Sequence, residues 1–295
     1  MKASLRSTLA SWVESAILRY EERRALRLLR WLPSAVRPIL QGGMSRALFA
    51  EPLRVQTPRG SLAFVVLGET SAVRARGLLT KQPATIDWID RFDRDSVFWD
   101  VGANVGVYTL YAALRDDLRI VAFEPAAVNY FLLAANCELN SVDQRVNCLQ
   151  VGLGREKSIG RMALSQFEPG LSFSFRDKRR RPLNGQQAAL ILSIDQLIAE
   201  YGVPCPNYIK IDVPALTDAI VEGAVRTLQR PEVRELHIEA SEESKGGRRI
   251  VALLAQAGFA ATGRHVRGGT TDLTFTRRTS SSGDLSATGH AKLSY

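Results

Sequence analysis

Downstream of Ser96, the hydrophobic positions alternate between two spacings. Short apolar runs rich in β-branched and aromatic residues are separated by longer segments in which apolar residues recur every three or four positions. We predict strands at 97–102, 119–125, 146–152, 208–213 and 235–240. We predict helices at 105–115, 126–140, 192–201, 215–229 and 247–257. Strands joined by single helices imply right-handed crossovers, so the pattern predicts an α/β fold with a mostly parallel, doubly wound sheet.

The pattern also divides the chain into segments. Near the start, apolar residues at helical spacing and many arginines predict a basic amphipathic helix, which either packs on protein or makes a peripheral membrane contact through residues 5–32. Near the end, two apolar runs predict final strands joined by a short loop, one of them antiparallel at the sheet edge. The predicted segments are a helical extension at 1–58, an entry segment at 59–89 with a strand at 61–68, the α/β domain at 90–276 and a disordered tail at 277–295.

Composition narrows the class of protein without identifying a partner. The 295 residues are 45% hydrophobic and 23% charged, as in globular proteins, and no apolar run reaches the roughly 20 residues of a membrane span. Three cysteines without a CxxC pair favour a reducing compartment, so we expect a cytoplasmic protein and no metal site. The net charge of +9 favours anionic partners, but without a nucleic-acid-binding motif we expect no specific nucleic acid. The oligomeric state is left open.

A glycine-containing turn follows the first strand of the predicted α/β domain. Ligands of doubly wound sheets bind beyond the carboxyl ends of the strands, and this end carries Asp100, Gly102, Asn104 and Gly106. Gly102 permits a tight turn and Gly106 permits close approach of the next helix. The spacing is GxxxG with an acid two positions earlier, not the GxGxxG of pyrophosphate sites. The turn therefore favours a ligand with a cationic amino group and disfavours a nicotinamide-dependent oxidoreductase.

The second strand ends at Phe123-Glu124-Pro125. Glu124 comes 22 positions after Gly102, and an acid about 20 residues beyond the glycine turn is placed to accept hydrogen bonds from a ribose diol. The two strand ends together predict a nucleoside site. The third strand end, 150–154, should border the base, where glycines leave recognition to the backbone.

The segments VFWDVGANVGVYTLYAAL, RIVAFEPAAVNYFLLAANCELN and YIKIDV together resemble the FkbM-type methyltransferase family. This is a branch of the S-adenosylmethionine-dependent methyltransferases with the Rossmann-like class I fold, and the resemblance spans roughly residues 80–276. It implies that the domain at 90–276 binds S-adenosylmethionine and transfers a methyl group to a hydroxyl of a small metabolite, saccharide or polyketide. It also implies that Glu124 binds the ribose. The residues implied at the methionine end are Asp100, Gly102, Asn104 and Gly106.

The fourth strand supplies the first catalytic candidates. Lys210 and Asp212 lie on one face of the strand, and Asp212 stands at its carboxyl end. An alcohol needs alignment and proton removal, so Asp212 is a candidate base or hydroxyl-orienting group, and Lys210 a candidate for lowering its pKa or stabilising alkoxide charge. A purely structural Lys–Asp pair is the alternative. The family pattern continues IKIDVEG, whereas this chain has Pro214-Ala215, which leaves open a scaffold that binds the cofactor without turnover.

The fifth strand offers two further catalytic candidates. Glu239 lies nearest the active edge, and His237 on the same face is either a base or a hydrogen-bonded core imidazole. His265, in the loop near the end of the domain, is a more remote candidate. A longer insertion at 166–187 contains the basic run 176–181, which we interpret as a substrate lid for an anionic acceptor or as a solvated face.

Overall fold

The computed structural model describes most of the chain beyond residue 48. The described residues are 34, 36, 42–43, 49–163, 169–171, 186–213, 216–240, 244–267 and 270–278. The predicted basic helix at 5–32, the basic run 176–181, Pro214-Ala215 and the tail beyond residue 278 lie outside them. The chain divides into two compact units, Met1–Pro52 and Leu53–Tyr295. Of the first unit, positions 42–43 and 49–50 are helical.

The second unit contains all the strands that the structure describes. The strands are β1 (Leu53–Thr57), β2 (Gly60–Phe64), β3 (Val97–Val101), β4 (Arg119–Phe123), β5 (Val146–Leu149), β6 (Gly152–Leu153), β7 (Ser158–Ala163), β8 (Gln186–Leu192), β9 (Tyr208–Ile211), β10 (Glu235–Glu239), β11 (Phe259–Arg267) and β12 (Thr270–Arg277). The helices are α1 (Glu69–Arg76), α2 (Leu78–Lys81), α3 (Pro83–Asp90), α4 (Val107–Ala113), α5 (Ala127–Leu139), α6 (Ile194–Tyr201), α7 (Thr217–Glu222) and α8 (Lys245–Gln256), with a 3-10 turn at Thr227–Gln229.

Seven strands form the main sheet, in the order β11-β12-β10-β9-β3-β4-β5. Strands β3, β4, β5, β9 and β10 are mutually parallel, and β12 runs antiparallel to both of its neighbours. The predicted α/β class with a mostly parallel, doubly wound sheet is therefore confirmed. The predicted edge position of the antiparallel strand is wrong, because β12 lies inside the sheet and β11 forms the edge. The central residues of β12 are buried, whereas β11 exposes its second half to solvent.

Several predicted elements are shorter in the structure or are divided. The strand predicted at 146–152 splits, because β5 ends in the main sheet and β6 joins β7 and β8 in a separate three-stranded sheet. The helix predicted at 215–229 ends at Glu222, where Gly223 packs so closely that an added Cβ would lie 2.1 Å from the Gly154 carbonyl oxygen. The strand predicted at 61–68 ends at Phe64. The insertion predicted as a loop already contains the start of β8 at Gln186.

The entry segment covers part of one face of the main sheet. The indole of Trp88, on α3, makes edge-to-face contacts with Phe92, Phe98 and Tyr208, with ring centroids 4.7 to 6.1 Å apart. On the opposite face, a single hydrophobic core includes Trp99, Val101, Phe123, Ile209, Ile211, Leu236, Ile238, Leu254 and Phe275. Both faces of the parallel strands are therefore buried, which leaves the strand ends as the place where polar residues reach solvent. Within the described residues, no helix has the length and apolar character needed to span a membrane.

Candidate active site

The turn after β3 is held tightly against its neighbours. Gly102 and Gly106 have φ of 80° and 88°, in the left-handed region that favours glycine. A Cβ on Gly102 would lie 2.8 Å from the backbone oxygen of Asp212, and a Cβ on Gly106 would lie 2.7 Å from Leu133 on α5. The two glycines therefore let the turn approach the end of β9 and let α4 approach α5. Asn104 between them also has a positive φ, of 54°.

Glu124, just after β4, is buried beside this turn. Its Oε2 accepts a hydrogen bond from the backbone N–H of Asn104 at 2.9 Å, and its Oε1 accepts one from the backbone N–H of Ala126 at 2.8 Å. Burial raises the pKa of Glu124 to about 7, although both hydrogen bonds and the charge of Arg74 act in the opposite direction. The Asn129 side chain also donates to the Glu124 carboxylate, and because a carboxylate has about four acceptor positions, one remains for a ligand hydroxyl.

Lys210 joins two carboxylates at the centre of the site. Its Nζ lies 3.3 Å from Oδ1 of Asp100 and 3.4 Å from Oδ2 of Asp212, and the Thr109 hydroxyl donates to the other Asp100 oxygen at 2.7 Å. The side chains of Asp100 and Lys210 are 1% and 3% exposed, whereas that of Asp212 is 22% exposed. Asp212 is therefore the member of this triad that faces solvent. Asp100, which we predicted at the methionine end of the cofactor, is buried, and it is connected to the site by its ion pair with Lys210.

The charges of the triad fix its protonation state. Burial opposes the charged form of Lys210, but the adjacent carboxylates of Asp100 and Asp212 reverse that effect and raise its pKa. Burial also opposes the charged form of Asp212, but Lys210, a hydrogen bond with Glu239 and the charge of Lys81 hold its pKa below its usual value. Asp212 is therefore an ionised hydrogen-bond acceptor at neutral pH.

A small cavity opens beside this triad. Its volume is about 330 Å³, part of it open to solvent. The lining residues are Arg74, Gly77, Lys81, Gly102, Ala103, Asn104, Val107, Tyr108, Lys210 and Asp212. The Tyr108 ring lies under the Lys210 ammonium, 5.0 Å from its centroid. The glycine turn and the proposed catalytic pair thus share one cavity.

The structure separates the two candidates on β10. Glu239 interacts with Asp212, and so lies beside the site. His237 is buried away from the cavity: its Nε2 lies 3.1 Å from the Thr85 hydroxyl, its Nδ1 lies 3.0 Å from the Thr274 hydroxyl, and its ring stacks on Trp88. This geometry corresponds to the hydrogen-bonded core imidazole that was the alternative for His237.

The remaining histidine candidate and the cysteines lie apart from the site. His265 is on β11, not in a loop, and lines a different cavity together with Glu235 and Thr274. Cys137 and Cys148 are free thiols with their sulfur atoms 3.7 Å apart. Among the residues that the structure describes, no group of three His, Cys, Asp or Glu side chains is placed to hold a metal ion.

Sequence reasoning missed three polar side chains of the cavity. Arg74 and Lys81 come from α1 and α2, in the segment that we predicted only as an entry to the domain. Tyr108, on α4, carried no signal beyond the apolar spacing of its helix. All three reach the cavity through tertiary packing, which neither hydrophobic spacing nor a local motif encodes.

The donors and acceptors present fit a nucleoside with a charged amino-acid end. Glu124 keeps an acceptor position for a ribose hydroxyl. The cavity beside Gly102 and Asn104 contains a guanidinium, Arg74, which suits the anionic carboxylate of an amino-acid end. This donor set is compatible with S-adenosylmethionine.

Comparisons with known proteins identify the family of the chain. A family model described as the methyltransferase FkbM domain matches residues 100–260. The chain is 28% identical, over 55% of its length and 72% of the relative's, to the 31-O-demethyl-FK506 methyltransferase FkbM of Streptomyces tacrolimicus. It is 24% identical, over 70% of its length and 81% of the relative's, to the hexuronic acid methyltransferase AglP of Haloferax volcanii.

Among solved structures, the methyltransferase FkbM from Methylobacillus flagellatus KT aligns with 16% identity and a TM-score of 0.43. The alignment covers 71% of this chain and 48% of that one, so this chain spans about half the length of that relative.

Proposed function

The chain belongs to the FkbM methyltransferase family, and on this premise we propose that it transfers a methyl group from S-adenosylmethionine to a hydroxyl oxygen. The acceptor that we propose is a small metabolite, a saccharide or a polyketide, and not a nucleic acid. The observation that carries this proposal is the ionised Asp212 in the same cavity as the glycine turn. The names of two relatives, a demethyl-FK506 and a hexuronic acid methyltransferase, support acceptors of this kind.

The cofactor, when bound, would supply a sulfonium methyl group; the acceptor oxygen bonds to the methyl carbon while the carbon–sulfur bond breaks, and the sulfur leaves as a neutral thioether with that electron pair. In the chain, Glu124 offers its remaining acceptor position to the ribose. Asp212 accepts a hydrogen bond from the acceptor hydroxyl and so aligns the oxygen, while Lys210 holds the Asp212 carboxylate in place. Alignment of the reacting atoms is the main contribution that a protein makes to such a displacement.

The low pKa of Asp212 determines when the proton moves. A carboxylate with a lowered pKa is a poor base towards a neutral alcohol. As the new carbon–oxygen bond forms, however, the hydroxyl oxygen becomes positively charged and its proton becomes strongly acidic. Asp212 therefore takes the proton late in the displacement and becomes a neutral carboxylic acid, which balances the positive charge lost when the sulfonium becomes a thioether.

The test is a radiolabelled-methyl assay with extracts of the producing cell as acceptor, followed by mass spectrometry of the labelled product. We expect labelling by the wild-type protein, its loss in Asp212→Asn and its retention in Asp116→Asn, an exposed aspartate that serves as the control. Calorimetry should show that Asp212→Asn still binds S-adenosylmethionine. Methylation that survives Asp212→Asn would contradict the role given to this carboxylate.

A second candidate function is a cofactor-binding scaffold without turnover. The sequence favours it at one point, because Pro214-Ala215 replaces the Glu-Gly that follows IKIDV in the family pattern. This candidate predicts cofactor binding with no labelled product from any acceptor. A nicotinamide-dependent oxidoreductase is disfavoured by the GxxxG turn, and fluorescence titration with both cofactors separates it from a methyltransferase.

A further inference from the structure

A short segment of the insertion between β7 and β8 lies against the nucleoside site. We call Pro169–Leu171 the strap. Pro169 and Gly170 are buried, and Gly170 has a φ of 92°. An added Cβ on Gly170 would lie 2.9 Å from the backbone nitrogen of Ser71, so the strap is packed directly on α1.

Asn129, on α5, holds the strap by its backbone. Its Oδ1 accepts a hydrogen bond from the N–H of Gly170 at 2.8 Å, and its Nδ2 donates to the carbonyl of Leu171 at 3.0 Å. The Asn129 side chain is almost completely buried. Because it satisfies one donor and one acceptor of adjacent residues, it fixes both the position and the orientation of the strap.

The same asparagine acts on Glu124. A hydrogen bond from the Asn129 side chain is among the interactions that lower the pKa of Glu124 against the effect of burial. Asn129 therefore contacts both the strap and the carboxylate proposed to bind the ribose. A side chain that serves two partners within a buried polar network restricts the orientation of each.

Two other residues make the same connection. Asn104 donates from Nδ2 to the Leu171 carbonyl at 3.1 Å, and its backbone N–H donates to Glu124 at 2.9 Å. Arg74 donates from Nε to the Gly170 carbonyl, and its charge also lowers the pKa of Glu124. Residues of α5, of the turn after β3 and of α1 thus each connect the strap to the Glu124 carboxylate. A loop that only crosses the protein surface would not require these connections.

We propose that Asn129 is a positioning residue for the cofactor, which holds the strap as a wall of the ribose subsite and orients the Glu124 carboxylate towards the ribose hydroxyls. This inference rests on the proposed function. The wall excludes water that would compete for the carboxylate, and the lower local dielectric strengthens its hydrogen bond to the ribose. A nucleoside with an intact ribose diol is therefore the ligand class that depends on Asn129.

The main test compares Asn129→Ala with Asn140→Ala by calorimetry with S-adenosylmethionine. Asn140 is a matched control, because it lies at the end of the same helix and likewise binds one backbone N–H and one carbonyl, both of Ala63, at 2.9 and 2.7 Å. We expect the Kd to rise about tenfold in Asn129→Ala, which corresponds to about 1.4 kcal/mol, and to stay within about twofold in Asn140→Ala.

A second variant guards against misfolding. Gly170→Ala moves the strap away from α1 without changing α5 or Glu124, and it should weaken binding by a similar factor.

A pH profile adds a readout that a purely structural role would not move. Loss of the Asn129 hydrogen bond should raise the pKa of Glu124 further, so binding by Asn129→Ala should begin to weaken at a higher pH than binding by the wild type.

Hydrogen–deuterium exchange checks the position of the strap in the wild-type protein. If the strap is a wall of the occupied site, S-adenosylmethionine should slow exchange of the Gly170 amide, which donates to Asn129. Faster exchange would mean that the cofactor displaces the strap and would overturn the inference. Equal affinities and superimposable pH profiles for Asn129→Ala and Asn140→Ala would overturn it as well. A wild-type protein that binds no S-adenosylmethionine would instead refute the proposed function, and this inference with it.

Discussion

Replacing Lys210 with methionine should destabilise the fold far more than removal of an ordinary ion pair. Lys210→Met keeps most of the side-chain volume but removes the only cation within 4 Å of Asp100 among the described residues, and leaves a carboxylate that is 1% exposed. Removing one partner of a buried ion pair typically costs about 3–5 kcal/mol, because the remaining charge is buried without compensation. That is a large share of the roughly 5–15 kcal/mol by which domains are stable.

A double-mutant cycle separates this charge effect from a packing effect. In Asp100→Asn the amide oxygen still accepts from the Thr109 hydroxyl, so the 2.7 Å hydrogen bond is retained. Combining it with Lys210→Met removes both buried charges, and we expect the double variant to recover on the order of 2 kcal/mol relative to Lys210→Met alone. Urea unfolding followed by circular dichroism gives the free energies of unfolding.

A surface pair provides the control for this cycle. Arg59 and Asp90 are joined at 2.6 Å, but their side chains are 34% and 36% exposed. Arg59→Met should therefore cost no more than about 1 kcal/mol, since solvent screens the charge left on Asp90. If Lys210→Met costs as little as this control, or if the double variant is no more stable than Lys210→Met, the argument from buried charge is refuted.

Three further predictions concern single positions. Because the pKa of unliganded Glu124 is raised to about 7 and the carboxylate is the better acceptor, affinity for S-adenosylmethionine should fall as pH drops below 7; calorimetry from pH 6 to 8 should show this in the wild type and not in Glu124→Gln. Gly102→Ala should lower the melting temperature more than Gly202→Ala, since both have positive φ but only at Gly102 would the new Cβ meet backbone, at 2.8 Å. His237→Ala should lower the melting temperature and leave cofactor affinity unchanged; loss of affinity at an unchanged melting temperature would contradict its core position.

The architecture of the main sheet was predictable because its parallel strands are buried on both faces. Such strands appear in the sequence as short apolar runs, and the intervening helices have a different spacing, so the alternation is visible without an alignment. The order of the last two strands was not predictable in the same way. The hydrophobic spacing of β11 and β12 is similar, so it does not indicate which of the two strands pairs with β10. Burial of the centre of β12 is a result of its pairing on both sides in the assembled sheet.

The candidate site was predictable where it depends on strand ends. Asp212 and Glu124 follow β9 and β4 directly, and a parallel sheet brings such ends to one edge. The contributions of Arg74 and Asn129 were not predictable, because both act from helices whose placement over the site is a tertiary property. Asn129 in particular sits inside an apolar helix pattern, where an asparagine reads as a solvated position although it is buried in the fold.

Alternation of side chains along a strand predicted the face of the sheet on which each residue lies. It did not predict which residues pack over that face. Asp100, Lys210 and His237 lie side by side in register across β3, β9 and β10, so they form one polar row beneath the helices. The layer above decides what each can do: α4 covers the first two with Thr109 and Tyr108, and α3 covers His237 with Thr85 and Trp88.

A polar residue within a parallel sheet is therefore packed against the helix that covers it, and its hydrogen bonds stabilise the fold. A residue that follows the last paired position of a strand is not covered by a helix. Asp212 is one step past the end of β9 and, of the three members of the Lys210 triad, is the one exposed to solvent. The buried row nevertheless matters for the chemistry, because Lys210 connects it to the strand end. The Lys210 ammonium neutralises the buried Asp100 carboxylate and also holds the Asp212 carboxylate in place. This buried ion pair thus has a use beyond stability, which is to keep one exposed carboxylate ionised and correctly oriented.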